Sequence, residues 1–469
     1  MTRLAASRAQ TGEAAGAPTR RISAADDGAL MSTEEFHDWW ADRHRSGRFM
    51  VERIPFSRLD DWNFEPDTGN LAHASGRFFT IEGLQVRDGG RETWSQPIIN
   101  QPEIGILGIV VKEFDGVLHC LMQAKMEPGN INTLQLSPTV QATRSNYTQV
   151  HRGAGTRYLE CFVGPARGQV LVDVLQSEQG AWFWRKRNRN MVVLMTGDVP
   201  VHEDYRWLTL AQIRELTQVD NLVNMDARTV LSCLPVELPE DEDASTGDPF
   251  RDALIRSYRY RPDDVGAGEV LSWFTEAKTR CDWTARLVPL AKVGGWERTD
   301  DEITDGEGRH FRIIAAEVEA GTREVKRWTQ PLLFPRGEGR ALFVARPIGG
   351  VLHLLVQARP EFGLMDMVEM APTVQLLPGA GVTEIEDLLL RDVLADATMR
   401  YDAVLSEEGG RFYQALTRYQ IAEVGEDFSL DVPANFRWMT VRQLTDLLRH
   451  GHYLNIEARS LLACMHSLY

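Results

Sequence analysis

The sequence predicts an α+β fold built twice along one chain, each copy a mixed sheet with helices. Three observations carry that expectation. The chain repeats itself. Apolar runs come in pairs joined by Asp-Gly or Gly-Gly, a hairpin signature. Helical segments gather at the start and end of each copy instead of alternating with strands, as a doubly wound fold would require. The 469 residues are about three times the roughly 150 of a typical domain. Hydrophobic residues make up 43% and charged residues 25%, enough apolar surface for large cores.

The repeat is ordered and long. Trp39-Trp40 returns as Trp273-Phe274, Pro55 as Pro289, and Trp62 as Trp296. Trp94-Ser95-Gln96-Pro97 returns as Trp328-Thr329-Gln330-Pro331, and Pro138-Thr139-Val140-Gln141 as Pro372-Thr373-Val374-Gln375, all at one spacing of 234 residues. The spacing then drifts slightly, so that Ser177-Glu178-Gln179-Gly180 faces Ser406-Glu407-Glu408-Gly409. Arg206-Trp207 faces Arg437-Trp438, and Asn224 faces Asn455. Such order marks a tandem duplication of a unit of about 200 residues, a length that can fold as one domain. Residues 1–30, rich in Ala, Arg, Gly and Ser, read as a disordered tail. The copies span 31–236 and 266–469, with 237–265 as an acidic linker between them.

Each element has a local reason. Ser32-x-x-Glu35 is a capping box ahead of Phe36, Trp39 and Trp40 at helical spacing. Ile106–Val111 and Val117–Leu121 flank Asp115-Gly116, and Ala341–Ala345 and Val351–Val356 flank Gly349-Gly350. Two helices close each copy, Thr209–Thr217 and Asn224–Leu234 in the first, Thr440–Arg449 and Asn455–Met465 in the second.

Charge and motifs narrow the function. A net charge of −16 disfavours a nucleic-acid binder, which must neutralise phosphates. No apolar run reaches the 18 residues of a membrane span, and no secretory signal peptide is visible. Five cysteines, an odd number without a CxxC, predict neither a disulfide framework nor a zinc site and fit a reducing cytoplasm. There is no GxGxxG, Walker A loop, zincin motif or GxSxG elbow. Six lysines show no pyridoxal-phosphate context, and the eleven histidines show no metal-ligand spacing. A protein working without cofactor or metal is expected.

What remains is a repeated polar constellation. Gln123-Ala-Lys-Met-Glu-Pro-Gly-Asn130 runs off a predicted strand into a turn, followed by Gln135-Leu-Ser-Pro-Thr-Val-Gln-Ala-Thr-Arg-Ser-Asn-Tyr147. Together they offer amides, hydroxyls, a cation and a carboxylate, an inventory suited to a phosphorylated sugar. A solvated loop would have little reason to keep Pro-Thr-Val-Gln in both copies. Trp182-Phe-Trp-Arg-Lys-Arg-Asn-Arg-Asn190 adds aromatic surface and guanidinium groups able to grip a diphosphate, although it also reads as a basic surface turn. Trp62 and Trp296 suit either core positions or platforms for a base. His119 and His353 on the hairpin strands read as structural.

These stretches, with Leu175-Gln-Ser-Glu-Gln-Gly180 and Lys186-Arg-Asn-Arg-Asn190, resemble the NDP-hexose 2,3-dehydratase family from about Glu34 to the C-terminus, duplication included. The resemblance implies two tandem Nudix-like domains and a hydro-lyase of deoxysugar and antibiotic biosynthesis. Its implied substrate is dTDP-4-keto-6-deoxy-D-glucose. The Nudix catalytic box is missing, since Arg214-Glu215-Leu216 is followed by Thr-Gln-Val-Asp, so pyrophosphate hydrolysis is not expected. The implied reaction removes the C3 proton made acidic by the C4 ketone, then expels the C2 hydroxyl. No hydride moves, so no nicotinamide is needed.

Within that reading Glu127 is the first choice of base. Lys125 stabilises the enolate or protonates the leaving group, and His151 and Tyr158 are reserves. Trp62, Gln123, Gln141, Arg144, Ser145, Asn146, Tyr147, Thr148, Ser177, Arg187 and Asn190 are expected at substrate or nucleotide. Trp296, Gln375 and Ser406 are expected at a second nucleotide pocket, with the reactive centre built mainly from the first copy. The family implies a cytoplasmic homodimer whose product passes to a 3-ketoreductase. Two other readings compete. A 3-epimerase would share the C3 proton abstraction but keep the hydroxyl, and a non-catalytic binder would leave the ketosugar unchanged. Product mass separates dehydration from epimerisation, and recovery of the unchanged ketosugar marks a binder.

Overall fold

Ser32 starts the first helix, Thr33–Ser46, as the sequence predicts. Its side chain accepts from the amide of Glu35, whose carboxylate accepts from the Ser32 amide in return. This capping box stands at one edge of a computed structural model that describes residues 26–469 except 144–154, 235–237, 239–244, 262–263, 309, 322–325, 380–389, 392 and 394. Just before it, Asp26 accepts from Thr33 and from Gln212, so residues 26–30 are anchored where a free tail was expected. Residues 1–25 lie outside the described ones.

Each copy contributes one seven-stranded mixed sheet. In the first, the strands run in the order Gln169–Ser177, Arg187–Leu194, Gly105–Phe114, Val117–Met126 and Tyr205–Thr209, with Leu134–Ser137 and Val140–Ala142 alongside. Arg187–Leu194 pairs in parallel with Gly105–Phe114, while the hairpin 105–126 is antiparallel. The hairpin turns where predicted, with Asp115 and Gly116 at φ 49° and 81°. The second sheet repeats this order with Thr398–Ser406, Leu416–Glu423, Glu338–Ile348, Val351–Pro360 and Phe436–Thr440. The closing helices also match their predictions. Thr209 caps Leu210–Leu216, Asn224 caps Met225–Leu231, Thr440 caps Val441–Leu447 and Asn455 caps Ile456–Met465. Among the described residues no helix is long and apolar enough to cross a membrane.

The two five-stranded sheets do not respect the copies. Phe49–Ile54, the first strand of the first copy, pairs with Ala315–Ala320 of the second. Trp283–Val288, its counterpart, pairs with Gly83–Asp88 of the first. The expectation of two self-contained domains is thereby corrected, because each copy lends its opening strand to the other. The ordered side chains beneath are shared as well. Ile54, Trp62, Phe183, Phe311 and Phe412 belong to one apolar core drawn from both copies.

The linker expectation needs a second correction. Pro249–Arg259 is a helix capped by Asp248, and Asp264–Thr279 follows. Phe250, Ala253, Leu254, Ser257 and Tyr258 recur at helical spacing and are buried, so this stretch packs as core. The acidic composition upstream had masked that stripe.

A pair of fully buried arginines pins the halves together. Arg228 donates to the carbonyl of Ser406 at 3.0 Å and to that of Val223 at 2.7 Å. Arg459 makes the reciprocal bonds to the carbonyls of Ser177 and Leu454. Charge buried this deeply is tolerated only with its donors satisfied.

Candidate active site

The hairpin and the strand 187–194 wall a cavity of about 480 Å³, within the usual size of a small-molecule site. Alternation along Val117–Met126 points Lys125 into it, and Glu127 follows where the strand ends in Pro128-Gly129. Lys125 Nζ lies 3.7 Å from Glu127 Oε1 and donates to the Gln141 carbonyl at 3.3 Å. The Gln141 amide donates to Glu127 Oε1 at 2.8 Å. Asn224, whose other side-chain atom caps the helix 225–231, donates to Gln141 at 3.4 Å. A helix cap thus orients the amide that orients the carboxylate.

The second copy completes the walls. Trp328, Thr329, Gln330, Glu408, Gly410 and Arg411 all line the cavity. Gln330 holds the Gly410 carbonyl at 2.8 Å, and the Arg411 guanidinium lies 4.4 Å above the Phe79 ring while donating to Gln101 at 3.1 Å. Trp62, Phe79, Phe183 and Trp328 give aromatic surface.

The electrostatics are unusual. Glu127, Glu178, Asp226 and Glu408 share the cavity with Lys125, Lys186 and Arg411. Burial pushes Glu408 up to about 7, with Glu127 and Glu178 adding repulsion and Arg411 opposing. Burial also raises Glu178, against the pull of Arg459 and Lys186. Asp226 is pushed well above the carboxylate range by burial and then by Glu178, Glu408 and Glu127. Burial lowers Lys186 to about 8, with Glu178 opposing. Glu408 and Lys186 are thus poised near neutrality, the condition for proton transfer.

Of the expected site residues, the structure brings Lys125, Glu127, Gln141 and Trp62 together. Trp62 serves mainly as wall, its indole donating to the Thr329 carbonyl at 3.1 Å. Gln123 and Arg187 do not line the cavity; Lys186 and Asn188, the alternate positions of that strand, do. Arg144, Ser145, Asn146, Tyr147, Thr148 and His151 lie outside the described residues, and Thr143 just before them lines the cavity.

Six expected site residues are corrected by position. Tyr158 sits in a separate core, its hydroxyl donating to the Pro200 carbonyl at 2.7 Å. Ser177 donates to Glu369 at 2.6 Å and Ser406 accepts from Gln135 at 2.8 Å, both beside the buried arginines. Asn190 is fully buried and donates to Thr229 at 3.1 Å. Trp296 packs on Phe311, ring centroids 4.8 Å apart. Gln375, the counterpart of Gln141, donates to Glu361 at 2.7 Å and accepts from Asn455 at 2.7 Å, away from the cavity.

At that second position the same network survives. Glu361 also accepts from the Gly180 amide at 3.0 Å. Phe362, where the first copy has Pro128, packs against Trp94 and Trp283 with centroids 4.2 and 5.0 Å away. Ala415 stands where the first copy has Lys186, Gln179 where the second has Glu408, and Trp182 where the second has Arg411.

Lys186, within the stretch expected at the diphosphate, does line the cavity, whereas Glu178, Asp226 and Glu408 are site residues the sequence reading does not single out. The usable signal lay in Ser-Glu-Gln-Gly against Ser-Glu-Glu-Gly, where the copies diverge at a chemically decisive position.

A buried, proton-rich cavity with polar orienting groups and aromatic walls defines an acid–base enzyme acting on a polar small molecule. The particular family follows from comparison. The model of the NDP-hexose 2,3-dehydratase family matches residues 33–234 and again 267–465, and the chain belongs to that family. It is 55% identical to the dTDP-4-dehydro-6-deoxy-alpha-D-glucopyranose 2,3-dehydratase of Saccharopolyspora spinosa, over 94% of this chain and 92% of the relative. Proteins of the same description from Amycolatopsis orientalis and Streptomyces violaceoruber are 48% and 49% identical, over 95% and 94% of this chain and 92% and 98% of theirs.

Proposed function

We propose that the chain eliminates water from C2 and C3 of dTDP-4-keto-6-deoxy-D-glucose, giving a dTDP-3,4-diketo-2,6-dideoxyhexose. The observation that carries this reading is the Lys125–Glu127 pair at 3.7 Å inside the cavity, held by Gln141. Glu127 is the base that takes the C3 proton. Lys125 faces the negative charge that develops on the C4 oxygen, where a fixed cation is most useful. Collapse of the enolate expels the C2 oxygen, and the resulting C3 enol becomes the ketone. Substrate electrons return to substrate, so the reaction needs no redox partner.

Lys186 and Arg411 supply positive charge for a diphosphate, and the aromatic walls suit a thymine base. The undescribed stretch from Arg144 to Thr148 begins beside Thr143 of the cavity wall and is proposed to add further phosphate contacts. Each mixed sheet flanked by closing helices is compatible with a Nudix-like unit. In this reading the enzyme is a cytoplasmic homodimer in deoxysugar and antibiotic biosynthesis, and a 3-ketoreductase consumes its labile product.

The test is incubation with dTDP-4-keto-6-deoxyglucose, coupled to a 3-ketoreductase and followed by mass. Loss of one water, followed by gain of two hydrogens in the coupled reduction, supports dehydration. A product of unchanged mass but inverted C3 points to epimerisation, and recovery of untouched substrate points to a binding protein.

A further inference from the structure

A dehydratase needs an acid as well as a base, because hydroxide is a poor leaving group. We infer that Glu408, carried into the cavity by the second copy, protonates the departing C2 hydroxyl while Glu127 of the first copy works at C3. This rests on the dehydration reading above.

Geometry selects Glu408. Its loop turns at Gly409-Gly410, and Gly410 lies between the two carboxylates. A Cβ at Gly410 would collide with Glu408 Oε1 and stand 3.6 Å from Glu127 Oε1. Two carboxyl groups thus meet one region of the cavity from different halves of the chain, the arrangement required when one takes a proton and the other gives one. Glu408 Oε2 is buried with no hydrogen-bond partner among the described residues, so a ligand hydroxyl can occupy that direction. Glu178 is the weaker candidate, since Asn188 already holds one of its oxygens at 2.7 Å. Asp226 also lines the cavity, from the first turn of the helix 225–231.

The charged groups around Glu408 fit the role. Glu127 and Glu178 crowd it with like charge, Asp226 lines the same cavity, and Arg411, Lys186 and Lys125 border it. Their combined effect, with burial, leaves Glu408 titrating near 7, so much of it carries a proton at neutral pH. In the step itself the C3–H electrons form the enolate, whose collapse makes the C2–C3 double bond. The C2–O bond breaks onto oxygen, which takes the Glu408 proton and leaves as water. Glu408 ends ionised and Glu127 protonated; on tautomerisation Glu127 gives its proton to C2 while the enol hydroxyl at C3 returns one to Glu408, which resets both groups.

The discriminating experiment compares dTDP-4-keto-6-deoxyglucose with its 2-deoxy-2-fluoro analogue, since fluoride departs without a proton. In Glu408→Gln, turnover of the hydroxyl substrate should fall about 10²- to 10⁴-fold, while fluoride release stays within a few-fold of wild type. Glu127→Gln should lose both. The alkaline limb of wild-type kcat should disappear in Glu408→Gln and persist, at lower rate, in Glu408→Asp. dTDP binding by calorimetry reports whether each variant is folded, and Glu408→Asp carries the test if Glu408→Gln is not. Equal losses on both substrates, or unimpaired dehydration by Glu408→Gln, would overturn the inference. A wild-type enzyme inert toward both substrates would instead remove the dehydration reading itself.

Discussion

Gly129 donates its amide to the carbonyl of Gly409 at 2.7 Å, and so ties the loop bearing Glu127 to the loop bearing Glu408. Gly363 makes the counterpart bond to Gly180 at 2.8 Å. Backbones approach so closely that a Cβ on Gly129 would land on the carbonyl oxygen of Phe412, and one on Gly363 on that of Phe183. Glycine is needed here for space, because neither residue has positive φ.

Gly129→Ala should therefore separate the two loops. Overpacking against backbone costs about 1–3 kcal/mol or more, and turnover should fall further than stability alone accounts for, since both carboxylates move. Gly268→Ala is the control. It lies on an open helix face with nothing near its Cβ and should gain up to about 1 kcal/mol from helix propensity. Thermal melts and kcat report both, and a Gly129→Ala enzyme with wild-type values would contradict the close approach.

Glu127→Gln and Glu361→Gln test the inequality of the halves. Both carboxylates accept from an equivalent glutamine, Gln141 and Gln375. Only Glu127 faces the cavity. Turnover should drop about 10²- to 10⁴-fold in the first variant with dTDP affinity little changed. In the second, kcat should stay within a few-fold of wild type while the melting temperature shifts, since Glu361 holds the Gly180 amide. Equal kinetic losses would show that the second position takes part in catalysis.

The raised carboxyls make a prediction about stability and pH. Glu408 titrates near 7 in the fold against its usual 4.5, so between those values the folded chain keeps a proton that the unfolded chain has lost. Its stabilising contribution is complete below about 4.5 and disappears as pH rises through 7. Lys186 acts oppositely at higher pH. Held near 8 against 10.5, its contribution is present above 10.5 and is lost as pH falls through 8. Urea midpoints of the ligand-free protein at pH 5 and 7.5 should thus differ less for Glu408→Gln than for wild type. Identical pH slopes in the two proteins would refute the assignment.

The sequence by itself determined the duplication, the hairpins and the helix starts. Asp115-Gly116 turns a chain through its own φ values, and Ser32, Thr209, Asn224, Thr440 and Asn455 each cap the amide three residues on. Such features are local, so they are written locally. The Gln-Ala-Lys-x-Glu and Pro-Thr-Val-Gln stretches likewise located one wall of the cavity. Only the tertiary structure decided that Phe49–Ile54 and Trp283–Val288 change places, that Ser177 and Ser406 serve buried arginines, and that Glu408 comes to face Glu127. These pairings join residues from 178 to 282 positions apart. No periodicity or cap records them, because they depend on which surfaces meet when the two copies interlock and exclude water from a shared core.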